Sequence, residues 1–152
     1  MNLVLDTNVV MELLHWRDPR SAALLHAIDA GRARCHSDSR CLAELSRVLG
    51  YPQFGLDSNA QQHLITAYRR LVVEVAEPAP EDLGTESGLP RCRDTDDQKF
   101  LELAARCNAD LLVTRDRELL KLARSRRHPA PFGIVLPEVA IARLDPAMEP
   151  TA

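Results

Sequence analysis

The chain is poor in aromatic residues, which make up 4% of it: one Trp, two Tyr and three Phe. So few rings leave little surface for stacking planar ligands or bases. No apolar run approaches the roughly 20 residues that a membrane-spanning helix needs. Asp6 and Glu12 interrupt any apolar stretch near the N-terminus, so no secretory signal pattern is visible. The four cysteines, Cys35, Cys41, Cys92 and Cys107, form no C-x-x-C pair. That spacing disfavours a zinc site, and the cysteines read as free thiols of a reducing compartment. Positive charge is not in excess either. The net charge of −3 argues against a basic footprint over the whole surface, while leaving room for a local basic rim. No internal repeat or low-complexity tract appears. A cytoplasmic protein is expected.

What is present suits one globular domain: 152 residues, 45% hydrophobic and 27% charged. Leu3-Val4-Leu5 is a short apolar run that stops at Asp6, as a buried strand would, and a helix of about two turns over Val9–Leu14 follows. Pro19 suits the first turn of a second helix, whose face is Ala22, Ala23, Leu24, Leu25 and Ile28 and whose end is Gly31. Arg34–His36 is a weak strand signal. Ser37 or Asp38 can cap a helix over Ser39–Leu49, and another helix runs from about Asp57 to Leu71 into a β-branched strand, Val72–Val75. The Pro- and Gly-containing segment from Glu77 to Pro90 reads as a loop with a possible helical turn at Glu81–Leu83. An amphipathic helix follows Arg93-Asp94-Thr95-Asp96-Asp97. Then come a strand over Ala109–Thr114, a short helix, a strand over Phe132–Leu136 and a last helix from Pro137. Alternating strands and helices imply βαβ units and a largely parallel sheet covered on both faces, an α/β/α sandwich spanning residues 1–144. The tail, 145–152, is expected to be disordered.

Several acids stand where such a fold builds its sites. Asp6 and Asp116 each follow a strand and precede a helix, which makes each a candidate helix cap or a candidate ligand at the carboxyl edge of the sheet. Asp97 lies three before Phe100 and four before Leu101, and Glu44 lies three after Cys41 and four before Val48. Both spacings turn a carboxylate toward a buried face, where an unpaired charge costs several kcal/mol. No obvious Lys or Arg stands beside them in the sequence. Carboxylates converging without cations would repel one another. A divalent ion relieves that repulsion, and hard oxygen donors select Mg²⁺ or Mn²⁺.

The pattern resembles the PIN domain ribonucleases, and within them the toxin components of toxin–antitoxin systems. The matching pieces are Leu5-Asp6-Thr7-Asn8, Glu44 in Leu42-Ala43-Glu44-Leu45, Asp97 in Asp96-Asp97-Gln98-Lys99-Phe100-Leu101-Glu102-Leu103-Ala104, and Asp116 in Val113-Thr114-Arg115-Asp116. Four short motifs in this order cover the chain from Asn2 to about Pro137. The resemblance implies a three-layer PIN-like fold and a metal-dependent endoribonuclease. Its Mg²⁺ or Mn²⁺ would be held by Asp6, Glu44, Asp97 and Asp116, directly or through waters, in a site oriented by Thr7, Asn8 and Thr114. Similar proteins often carry proline where this chain has Thr95. Asp97 is taken as the third acid from its spacing to Phe100 and Ala104, with Asp96 as the alternative. The resemblance further implies an RNA substrate, a small antitoxin partner and a homodimer.

Other chemistries on parallel strands fit less well. A haloacid dehalogenase-type phosphatase would want an aspartate two after the first, where Asn8 stands, and a receiver domain would want paired acids in its first loop and a late lysine. No histidine has the context of a general base, and His26 and His63 read as helix-surface residues. Arg115, Arg117, Lys121, Arg124, Arg126 and Arg127 follow Asp116 and form either a solvated helix face or a phosphate-contacting rim, with Arg91 and Arg93 across from it. Of these, Arg115, Arg117, Lys121 and Arg124 are the main candidates for RNA-backbone contact. Trp16 and Phe54 are expected in the core. A non-catalytic nucleic-acid-binding or scaffold domain of the same fold is the competing reading.

Overall fold

The computed structural model describes residues 1–76 and 88–145. Five strands form one sheet: β1 (Asn2–Leu5), β2 (Arg34–Ser37), β3 (Val72–Glu74), β4 (Leu111–Val113) and β5 (Gly133–Val135). Their order is β3-β2-β1-β4-β5, and every pairing is parallel. β1 lies in the middle, with Leu3 opposite Cys35 on one side and Leu111 on the other. That position explains its unbroken apolar run, since a central parallel strand is covered on both faces.

Side chains alternate across the sheet and so build two cores. Leu3, Leu5, Cys35, Leu111 and Val113 face the helices α1 (Thr7–Met11), α2 (Ala22–Asp29), α3 (Ser39–Leu49), α4 (Ser58–Leu71) and α7 (Pro137–Leu144). Val4, Leu112 and Ile134 face α5 (Gln98–Arg106) and α6 (Arg117–Leu122), through Phe100, Leu101, Leu103, Ala104 and Leu119. This is the expected three-layer α/β/α sandwich.

The elements match their sequence signals, with informative departures. α1 begins at Thr7, earlier than its apolar pattern, and runs on into a π-helical turn over Glu12–Trp16 that ends at Arg17 in the left-handed region. Pro19 opens a 3-10 turn (Pro19–Ser21) ahead of α2, whose buried residues are Leu24, Ala27 and Ile28, while Ala22 and Ala23 are exposed. Gly31 ends α2 with φ +78°, a conformation that suits glycine. Asp38, not Ser37, caps α3, accepting from the Cys41 N–H at 2.9 Å. Asp57 caps α4 in the same way. Strands β3, β4 and β5 are each three residues, shorter than their apolar patterns.

The four cysteines are free thiols, as read from their spacing. Among the described residues, no helix is long and apolar enough to cross a membrane. The possible turn at Glu81–Leu83 and most of the expected tail lie outside the described residues.

The α5 face is the tightest part of the second core, with Leu103 fully buried. Leu103→Ala should lower unfolding free energy by roughly 2–5 kcal/mol in urea denaturation. A loss below about 1 kcal/mol would show that α5 does not pack on the sheet as described.

Candidate active site

In the order β3-β2-β1-β4-β5, the chain leaves β1 toward β2 on one side and returns to β4 on the other. The two connections diverge at the carboxyl ends of β1 and β4 and open a crevice there, the usual place for a site in a parallel sheet. Asp6 directly follows β1, and Thr114-Arg115-Asp116 directly follow β4.

Asp6 occupies the N-cap position of α1, yet its carboxylate makes no capping bond. It accepts instead from the buried Thr114 hydroxyl at 2.8 Å. The same hydroxyl oxygen accepts from the Asp116 N–H at 3.0 Å. Thr114 therefore ties the ends of the two central strands together and fixes Asp6 relative to the Asp116 backbone. One oxygen of Asp116 caps α6, accepting from the Glu118 N–H at 2.8 Å. Ligand and cap are thus compatible roles, because a carboxylate has a second oxygen.

Asp94 caps a 3-10 turn, Thr95–Asp97, that leads into α5. The turn leaves Asp96 exposed and turns Asp97 inward against Asp116 and Asp6. This geometry favours Asp97 over Asp96 as the third acid. Burial pushes the Asp97 carboxyl up to about 7, helped by the charge of Asp6 and by a hydrogen bond with Asp116. A carboxyl raised in this way is one that a nearby cation would lower again. Burial likewise pushes Asp6 up to about 6, against the Thr114 hydrogen bond, with the charges of Glu44 and Asp116 adding to the rise. Among the described residues, no Lys or Arg forms an ion pair with Asp6, Asp97 or Asp116.

Glu44 differs. The absence of a nearby cation, expected from the sequence, is corrected here. The Lys99 ammonium lies 2.6 Å from one Glu44 oxygen, while the Thr7 hydroxyl donates to the other. Arg47 approaches the first oxygen at 3.8 Å. Lys99 escaped the sequence reading because its partner is 55 positions away. Its one local signal is a cation in the first turn of a helix, where the dipole disfavours it.

Of the other residues marked in the sequence, Asn8 is exposed on α1. Arg117, Lys121 and Arg124 are exposed on and after α6, with Lys121 paired to Glu118 at 3.1 Å. Arg126, Arg127, Arg91 and Arg93 are exposed as well. Arg115 has a different place from the expected rim. Its guanidinium bonds Glu12, buried in the π-helical turn, and Glu138 at the start of α7 at 2.6 Å. Glu12 is completed by the Ser21 hydroxyl at 3.0 Å. Arg115 therefore anchors the Asp116 loop to two helices. Trp16 is not in the core: it is 51% exposed, meets Phe54 edge-on and His15 at a tilt, and of the two only Phe54 packs against buried residues. His26 and His63 lie on helix surfaces as expected.

The donor set bears on whether a metal suits this place. Among the described residues, no three His, Cys, Asp or Glu side chains are disposed to close on one ion directly. Yet Asp97 lies against Asp116 and Asp6, and among the described residues no Lys or Arg pairs with any of the three. Mg²⁺ is commonly held by one or two carboxylates and keeps several waters. Hard oxygen donors with excess negative charge fit such an ion.

The PIN domain family model matches residues 2–118, a span that begins at β1 and ends just beyond Asp116. The chain belongs to the PIN domain family, which is a family of nuclease type. A search of curated proteins found no match.

The raised carboxyls have a measurable cost. Between about pH 4, where a free aspartate titrates, and about pH 7, where folded Asp97 does, the folded state holds a proton that the unfolded chain has released. Metal-free stability must therefore fall as pH rises through that window. Asp97→Asn should stabilise the metal-free protein by roughly 1–2 kcal/mol at pH 8, after allowance for solvent screening, and change nothing near pH 3. Melting curves at the two pH values check this. Equal destabilisation at both would remove the basis for a charge-crowded site.

Proposed function

We propose that this chain is a Mg²⁺- or Mn²⁺-dependent endoribonuclease that hydrolyses phosphodiester bonds of single-stranded or structured RNA. It would act in the cytoplasm as the toxin of a toxin–antitoxin pair. The observation that carries the reading is the uncompensated trio Asp6, Asp97 and Asp116 at the divergence of β1 and β4. Among the described residues, buried Glu12 and Asp38 and part-buried Glu44 each have a cation on them, and these three aspartates do not. A fold that leaves three carboxylates crowded and unpaired sacrifices stability at that place, as functional sites do.

The family resemblance makes Asp6, Glu44, Asp97 and Asp116 the set from which an ion would be held, in part through waters, and the three aspartates are the members without a cation. When bound, the ion supplies an activated water and shields the phosphate charge. The protein's own contribution is positional. Thr114 sets the Asp6 carboxylate, the Asp116 cap sets α6, and Arg115 fixes the intervening loop to the π-helical turn and α7. Asn8, exposed on α1, would orient the site from its solvent side. Arg117, Lys121 and Arg124 would carry the RNA backbone, with sequence-independent and salt-sensitive affinity. Arg115 is already committed to Glu12 and Glu138, so its share is in holding the loop. The small antitoxin and the homodimer rest on the family resemblance.

Purified protein should cut single-stranded RNA internally with Mn²⁺ or Mg²⁺ and stop when EDTA is added. Asp6→Ala and Asp97→Asn should each lose activity by about 100-fold or more. Equal cleavage by wild type and both variants would point to a contaminant. RNA binding without cleavage under any metal would favour the non-catalytic reading.

A further inference from the structure

The four acids are not equivalent. Among the described residues, Asp6, Asp97 and Asp116 have no cation, whereas Glu44 has Lys99 at 2.6 Å. We propose that Lys99 acts as an internal cation that takes Glu44 out of the metal-binding set. The site then accepts one divalent ion, at the three aspartates, and the ammonium stands where a second would otherwise be drawn. The inference rests on the metal-dependent reading above and assigns Lys99 as a positioning residue.

The contacts are specific. Lys99 Nζ is 2.6 Å from Glu44 Oε1 and donates to the Asp96 carbonyl, also at 2.6 Å, while lying 5.3 Å from the Phe100 ring centroid. Glu44 Oε2 receives the Thr7 hydroxyl, so both oxygens of Glu44 are engaged. The side chains are 15% and 11% exposed, which leaves the pair poorly screened. To ligate a metal, Glu44 would have to abandon a mostly buried ammonium, and breaking such a pair strands a charge.

The position of Lys99 sharpens the argument. It lies two residues after Asp97, in the first turn of α5, where the helix dipole favours anions. Local preference would not place a lysine there, and packing does not need its charge. Its carbonyl acceptor belongs to the turn that aims Asp97. One side chain thus fixes Glu44 and braces the segment that delivers the third aspartate. Asp97, closing the turn, and Lys99, in the first turn of α5, diverge on the helix, so one short segment sends an anion and a cation to different partners. The cation goes to Glu44 and the anion to the two strand-end aspartates.

The test is metal stoichiometry. Mn²⁺ is titrated by calorimetry into wild type, Lys99→Met, Lys99→Arg and the double variant Lys99→Met/Glu44→Gln, with folding checked by circular dichroism. Electron paramagnetic resonance at two equivalents then looks for coupled Mn–Mn signals. Wild type and Lys99→Arg should bind one Mn²⁺ without coupling. Lys99→Met should gain a second, weaker ion and a coupled signal. The double variant should return to one ion with wild-type affinity, which shows that Glu44 is not a ligand of the first. Two ions in wild type, one ion in Lys99→Met, or a loss of about 10-fold or more in the double variant would each overturn the proposal. Absence of Mn²⁺ binding by every form would overturn the metal-dependent reading itself, and the proposal with it.

Discussion

The hydrogen bond from the Thr114 hydroxyl to the Asp6 carboxylate is the contact on which the site depends. It joins the residue after β1 to the residue after β4, across the point where the chain's two directions of travel part. Thr114 is fully buried and Asp6 nearly so. A carboxylate so placed is costly unless it is bonded. One hydroxyl meets part of that cost and also receives the Asp116 N–H, so a single side chain sets the spacing of two acids. Asp97 then arrives from the third layer, carried by α5 against the opposite face of the sheet.

The treatment of the remaining buried acids gives the trio its meaning. Glu12 is matched by Arg115 and Ser21, Asp38 by Arg106 at 3.0 Å and the Cys41 N–H, and Glu44 by Lys99 and Thr7. Among the described residues, each of these three acids has a cation, whereas Asp6, Asp97 and Asp116 have none. There burial raises the carboxyls of Asp6 and Asp97 above the ordinary aspartate range. Such a carboxyl is poised to exchange its proton for a cation.

The architecture was legible because it depends on local periodicity and on where apolar runs stop. The run Leu3-Val4-Leu5 ending at Asp6, and Leu111-Leu112-Val113 ending before Asp116, marked the two strands that frame the crevice. The helix spacing of Asp97 to Phe100 and Ala104 singled it out from Asp96, and the turn before α5 leaves Asp96 exposed and Asp97 partly buried. What the sequence could not disclose was long-range pairing. Lys99 with Glu44 and Arg115 with Glu12 each join residues far apart in the chain, and nothing local predicts either. The basic run after Asp116 looked uniform, yet its first member is drawn inward by Glu12 and Glu138 while the others stay outside. Trp16 misled for a related reason. Its apolar character suggested the core, but the π-helical turn and the left-handed Arg17 bring the chain out to the surface there.

The most direct measurement is a crystal structure of the protein grown with Mn²⁺ and recorded at a wavelength where manganese scatters anomalously. The account predicts a single anomalous peak beside Asp6, Asp97 and Asp116, with the Lys99–Glu44 pair intact. No peak at the three aspartates, or one seated on Glu44 with Lys99 displaced, would contradict it.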